Sequence, residues 1–288
     1  MARRALGEQR IGHAGTLDPF ATGLLMLLTG RATRLAQFLL DEPKEYDATI
    51  RFGSETDTED LHGAVVREAA LPSVAALTDV APRFVGELDQ VPPAYSAKHV
   101  DGKRAYERAR AGEQVELSPV RVTIHALTLG PFGGSDDAVE WCRMRVSCGG
   151  GTYVRSIARD LARATLTAGH LTALRRMKAG AFSVEDACSL DALQSGAAAL
   201  RPALDALAGY VRQPLSHDEV QKVVRGIDVE ARVDGDRGAL VTGEEGEAEP
   251  VLVAFAERRN SEKGARWQPR VVMREASSPE PRVVSPDP

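Results

Sequence analysis

Gly12-His13-Ala14-Gly15-Thr16-Leu17-Asp18-Pro19 is the stretch on which the reading of this chain turns. Glycines on either side of His13 and Ala14 let the backbone approach a ligand closely. Pro19 disfavours the helical conformation at Asp18. Asp18 is therefore presented from an extended or turn segment, with its carboxylate free to point into a cleft. Taken alone, the segment reads first as a plain Asp-Pro turn.

Three other segments give it company. Lys44-Glu45-Tyr46-Asp47 opens an alternating run to Phe52. Tyr46, Ala48, Ile50 and Phe52 share one face, and Asp47, Thr49 and Arg51 the other, which predicts a half-buried strand. Tyr46 by itself also suits a core or interface position.

Gly149-Gly150-Gly151-Thr152-Tyr153-Val154-Arg155-Ser156 is a glycine-rich turn feeding a helix, predicted over Tyr153 to Thr165. A helix N-terminus favours anions, but the lysine and spacing of a triphosphate-binding loop are missing. Arg155 opposes the helix dipole in the first turn. A carboxylate partner would offset that cost, and Asp18 is the candidate. Arg155, Arg159 and Arg163 fall four apart, in one stripe. Pro92 to Tyr106 interleaves Lys98, His99, Lys103 and Arg104 with Tyr95 and Tyr106. That mixture suits phosphate contacts and base stacking, or a solvated basic surface.

The remaining segments give the organisation. Gly53 to Gly63 reads as an acidic loop, and Ser73 as the cap of a helix running to about Phe84. Lys103 to Ala111 reads as helical, Val120 to Leu127 and Val139 to Val146 as strands, and Gly130 to Asp137 as a loop. Ser189 opens a helix through Leu200. After Gly209, short runs at Val229–Val233, Ala239–Val241 and Val251–Phe255 suggest strands. The expected layout is a larger domain over 1–210, a small β-rich domain over 212–275 and a disordered tail over 276–288.

The chain has 288 residues and a net charge of -5, which argues against RNA binding if charge is averaged. Residues 1–180, however, carry 23 Lys and Arg against 22 Asp and Glu, whereas residues 181–288 carry 13 against 19. Local clusters, and not the average, decide whether a phosphate backbone docks. Aromatics are only 5%, so the core must rest on Ala, Val and Leu. Ala21 to Leu28, the longest apolar candidate, is far too short to span a bilayer. The basic N-terminus lacks the apolar region of a secretory signal. Cys142, Cys148 and Cys188 form no metal-ligand spacing. They read as buried, reduced thiols of a cytoplasmic protein.

Together, in this order, the four segments resemble the TruB-type tRNA pseudouridine synthases. The match runs from Gly12 to about Met177 and includes Leu171-Thr172-Ala173-Leu174-Arg175-Arg176. Arg266-Trp267-Gln268-Pro269-Arg270 resembles the end of that family's PUA-like C-terminal domain. The resemblance implies an α+β catalytic domain with a largely antiparallel sheet, followed by a small PUA-like RNA-binding domain. It implies conversion of uridine to pseudouridine at position 55, in the T loop of tRNA. It makes Asp18 the catalytic carboxylate, as nucleophile or as the base that starts glycal formation. Arg155 holds that carboxylate ionised and oriented, and Tyr46 stacks on the uracil and assists loss of the C5 proton.

His13 is the residue that would fill the space left by the flipped base. Tyr153 is the aromatic residue of the Gly-Thr-Tyr motif, at the substrate. Lys98, Lys103, Arg104, Arg159, Arg175 and Arg176 are candidates for RNA backbone contacts. No cofactor or metal is expected, because no electrons are exchanged and the base stays bound. The resemblance also implies tRNA as partner, no membrane, no obligate protein partner and a monomer. About 30 further residues, with a strand and a Lys-Pro-x-Gly-x-Thr-Ser segment, are expected before the first motif. Two other classes share these features. One is a non-catalytic tRNA-binding or folding protein, and the other a guide-directed synthase acting on ribosomal RNA.

Overall fold

The computed structural model describes residues 1–96, 99–100, 103–104, 117–242, 250–262 and 264–273. The chain divides into two compact units. One comprises 15–26 and 40–187, the other 1–14, 27–39 and 188–288. This differs from the contiguous split expected near residue 210, because short N-terminal segments pack with the C-terminal strands. Phe38, for example, lies 4.7 Å from Phe255, ring centre to ring centre.

The unit around Asp18 is built on a sheet of seven strands among the described residues. Its order is Phe182–Ser183, Gly169–Ala179, Lys44–Phe52, Ala138–Cys148, Val120–Ser135 and Gly86–Gln90. Thr22–Gly23 is added in parallel beside Arg175 and Arg176, and every other pairing is antiparallel. Lys44–Phe52 alternates as expected, with Tyr46, Ala48, Ile50 and Phe52 buried. Complete burial of a side chain such as Ile50 stabilises the fold by about 1.5–3 kcal/mol. The helix Val154–Ala164 covers this face through Ile157, Ala158 and Leu161.

Four local expectations change. Ser54–Thr56 is not loop but strand, paired with Val65–Glu68, because Glu55 faces Arg67 across the ladder. Gly130–Ser135 continues the strand from Val120, and Gly133 allows it. A Cβ there would sit 2.0 Å from Trp141 Nε1, so only glycine lets the tryptophan ring lie over the neighbouring strand. Ser73 caps a helix as expected, accepting from Ala76 N, but the α-helical part ends at Val80. Lys103 and Arg104 belong to a short strand paired with His99–Val100 and not to a helix. Residues 105–111 lie outside the described residues, as does the expected tail.

The second unit carries a five-stranded sheet in the order Val211–Leu215, Arg237–Thr242, Leu252–Ser261, Gly264–Val272, Val229–Glu230. Its core includes Leu215, Val223, Leu240, Val253 and Trp267. The indole N–H of Trp267 donates to Gln213 Oε1 at 2.9 Å, which satisfies its polar edge inside the core. The helix opened by Ser189 is shorter than expected and spans Leu190–Gln194. Cys142 and Cys148 are buried, as expected, but Cys188 is exposed. Among the described residues no helix is long and apolar enough to cross a membrane.

Candidate active site

Asp18 and Arg155 meet in a bidentate fork, although 137 residues separate them in sequence. Arg155 donates from Nε to Asp18 Oδ2 at 2.9 Å and from Nη2 to Oδ1 at 2.8 Å. Paired charge-assisted bonds of this geometry are strong and directional. The two partners differ in exposure. The arginine side chain is 6% exposed and the carboxylate 27%, so Asp18 keeps a face open to a ligand.

The remaining donors of Arg155 aim it. Nη1 donates to the Thr58 carbonyl at 2.9 Å and Nη2 to the Tyr95 carbonyl at 3.1 Å, while Asp60 Oδ2 lies 3.8 Å from Nη1. Asp60 is itself buried and accepts from Thr58 Oγ1 and the His62 backbone. These acceptors compensate the arginine for its place in the first helical turn. Thr58, Asp60 and Tyr95 as acceptors were not foreseen. The acidic run Glu55, Glu59, Asp60 carries the relevant signal, because its spacing matches that of the arginine stripe. Arg163 bonds Glu55, and Arg159 bonds Glu59.

Lys44 and Tyr46 lie on the buried face of the strand Lys44–Phe52. Arg176, directly across from Tyr46 on the neighbouring strand, is fully buried. Its Nε donates to the Leu24 carbonyl at 2.7 Å, and its Nη2 and Nη1 to those of Gly15 and Thr16 at 3.2 and 3.4 Å. One guanidinium thus grips both ends of the segment that presents Asp18. Burial pushes the Tyr46 phenol above its usual range. The Arg176 guanidinium opposes that rise, and the nearby charge of Asp18 adds to it. Burial also lowers Lys44, with the charge of Arg176 adding to the effect. The lysine Nζ donates to the carbonyls of Leu40 and Glu42 at 2.7 and 2.6 Å.

Arg159 and Arg176 were expected at the RNA backbone. Both are buried, and acceptors inside the unit engage both guanidinium groups. Arg175 is exposed, in reach of the Thr22 hydroxyl at 3.5 Å. Tyr153 is half-buried at the helix start, where the buried Gln90 amide holds its backbone at both ends. Gln90 accepts from Tyr153 N at 2.9 Å and donates to Tyr153 O at 3.1 Å. His13 is exposed at the end of the strand Ile11–His13, in the other unit. Lys98 lies outside the described residues, and only the backbone of Lys103 and Arg104 is described. Among the described residues, no group of three or more His, Cys, Asp or Glu is placed to hold a metal ion.

The tRNA pseudouridine synthase B of Novosphingobium aromaticivorans is 51% identical over 190 residues, which cover 66% of this chain and 62% of the relative. The chain thus matches less than two thirds of that relative's length. The tRNA pseudouridine synthase B of Thermobifida fusca is 40% identical over 266 residues, 87% of this chain and 91% of the relative. In fold, the chain is similar to one in the crystal structure of a Cbf5-Nop10-Gar1 complex. The TM-score is 0.69 at 20% identity, covering 95% of this chain and 79% of that one. The family model for the TruB family pseudouridylate synthase N-terminal domain matches residues 3–154. The chain belongs to the TruB family of pseudouridylate synthases.

Proposed function

We propose that the protein isomerises uridine to pseudouridine in the T loop of tRNA, at position 55, with Asp18 as the catalytic carboxylate. The observation that carries this reading is the Asp18–Arg155 fork. It holds a carboxylate in fixed orientation, partly open to solvent, close enough to the buried Tyr46 for its charge to act on the phenol. The names of the relatives support tRNA as the substrate.

The chemistry breaks the bond from ribose C1′ to uracil N1, turns the base over and joins C1′ to C5. The C5 proton leaves and N1 gains one, so atoms balance without an oxidant or reductant. Asp18 either attacks C1′ or takes the C2′ proton to form a glycal. In both routes the detached uracil carries the electron pair of the broken bond and must stay in the site. Tyr46 supplies a flat, apolar wall for it. With its phenol held protonated by burial, Tyr46 acts as a stacking surface and hydrogen-bond donor. The target base leaves its stack to reach Asp18. His13 would fill the space behind it, and Tyr153 would line the approach. Lys98, Lys103, Arg104 and Arg175 would contact the RNA backbone, which positions the loop without reading its sequence.

The test uses tRNA transcript labelled with tritium at uracil C5. Wild type should release the label, and Asp18→Asn should release none above background. Equal release by both proteins would remove Asp18 from its role. Binding of tRNA by wild type without release would favour a non-catalytic tRNA-binding protein.

A further inference from the structure

Arg159 lies one turn beyond Arg155 on the same helix, and its bonds run to two separate segments. Its Nη1 bonds Glu59 Oε1, and its Nη2 donates to the Val91 carbonyl at 2.9 Å. Its Nε donates to Asp160 Oδ1 at 2.7 Å. The second oxygen of Glu59 accepts from Ser156 Oγ at 3.0 Å. Glu59 and Arg159 are both nearly closed to solvent.

Each of the two segments carries a carbonyl that Arg155 uses. Thr58 is next to Glu59. Tyr95 follows Val91 across Pro92-Pro93, whose fixed φ angles transmit the position of Val91 stiffly along the chain. Glu59 itself holds φ at +61°, a left-handed conformation that a non-glycine residue keeps only where its surroundings enforce it. The Arg159–Glu59 pair fixes the side chain here, while Glu59 N donates to the Thr56 carbonyl and the Glu59 carbonyl accepts from Leu171 N. Removing the pair takes away the side-chain link between the two segments, so the carbonyls of Thr58 and Tyr95 that aim Arg155 are held less tightly relative to each other.

We infer that Arg159, with Glu59, is a positioning residue for the isomerisation. It locks together the two segments whose carbonyls aim Arg155 at Asp18, and it does not contact RNA. This rests on the roles proposed above for Asp18 and Arg155.

The test is a cycle of Arg159→Lys and Arg155→Lys, singly and together, in the full chain. Single-turnover pseudouridine formation, tRNA affinity at several salt concentrations and thermal unfolding are measured for each. Arg159→Lys keeps a charge beside Glu59, which avoids leaving a bare buried carboxylate, but replaces the two nitrogens that reach Glu59 and Val91 by one. Its rate should fall about 10- to 100-fold, the usual scale for a misplacement of about 1 Å. Its tRNA affinity should stay within about two-fold of wild type, with an unchanged salt slope. In the Arg155→Lys background, Arg159→Lys should cost less than about three-fold, because its effect runs through Arg155.

Equal rate losses in the two backgrounds would overturn the inference in favour of general destabilisation. Weakened tRNA binding, with the salt slope reduced by about one, would overturn it in favour of a phosphate contact. Inactive wild type would overturn the proposed function and this inference with it. Active wild type with either of the preceding results overturns the inference alone. Should Arg159→Lys fail to fold, Glu59→Gln gives the same readings, since the neutral amide keeps the size of the side chain.

Discussion

Replacing Gly23 by alanine should abolish the proposed activity while leaving most of the chain folded. Gly23 holds φ at +93° and lies beside Arg176 in the parallel pairing of Thr22–Gly23 with the strand Gly169–Ala179. A Cβ at this position would sit 2.3 Å from the Arg176 carbonyl oxygen and 2.8 Å from its nitrogen, both backbone atoms. The contact must open by about 1 Å, since ordinary contact begins at 3.4 Å. Either the sheet or the Asp18 segment has to move. The segment yields more easily, because its ladder is two residues long and its other ties are chiefly side-chain bonds, whereas Gly169–Ala179 is paired along its length. The left-handed backbone costs an alanine about 1–2 kcal/mol. Loss of the bond from Leu24 N to the Arg176 carbonyl adds about 1 kcal/mol.

The expected destabilisation is therefore about 2–3 kcal/mol, an unfolding midpoint lower by roughly 4–12 °C. The larger effect falls on the rate. The displaced segment carries Asp18, and in the role proposed for it an error of about 1 Å costs on the order of 100-fold. The assay is single-turnover tritium release from C5-labelled tRNA, with circular dichroism melting on the same samples. A midpoint lowered as calculated, with a rate within three-fold of wild type, would refute the reasoning. It would show that Arg155 alone holds Asp18 in place.

Three further outcomes follow from the environments of single groups. Burial raises the Tyr46 phenol above its ordinary value of 10.0, so the rate should show no rising limb between about pH 7 and 9 that Tyr46→Phe abolishes; such a limb would show the phenolate acting as base. Glu55 is pushed up by burial, but its hydrogen bonds and charge interactions with Arg163 and Arg67 outweigh that and hold the carboxyl below 4.5. Its contribution to stability is present above that value and is lost as pH falls through the depressed one, so the deficit of Glu55→Gln should shrink below about pH 4.5, and a deficit constant down to about pH 3 would contradict it. Burial pushes Cys142 to about 12 and Cys148 to about 11, whereas Cys188 is exposed. A thiol reagent at pH 8 should therefore label one cysteine per native chain and three after unfolding, and prompt labelling of two or more in native protein would refute the burial assignments.

The parts legible from sequence are those set by neighbours along the chain. Tyr46 to Phe52 announces a strand because side chains alternate across a pleat, and Ser73 announces a helix start because its hydroxyl can reach a backbone N–H three residues on. The four motifs also identified the family, and Arg155 in a first helical turn pointed to a missing carboxylate. The rest was decided at a distance. The partners Arg155–Asp18, Arg159–Glu59 and Arg163–Glu55 lie 137, 100 and 108 residues apart. No local rule pairs them; the sheet brings their segments together. Burial then reassigned charges that composition had counted as available. Arg159 and Arg176 read as RNA contacts in the sequence, and the fold turns both inward, where low dielectric and fixed acceptors make each a brace for the segments around Asp18.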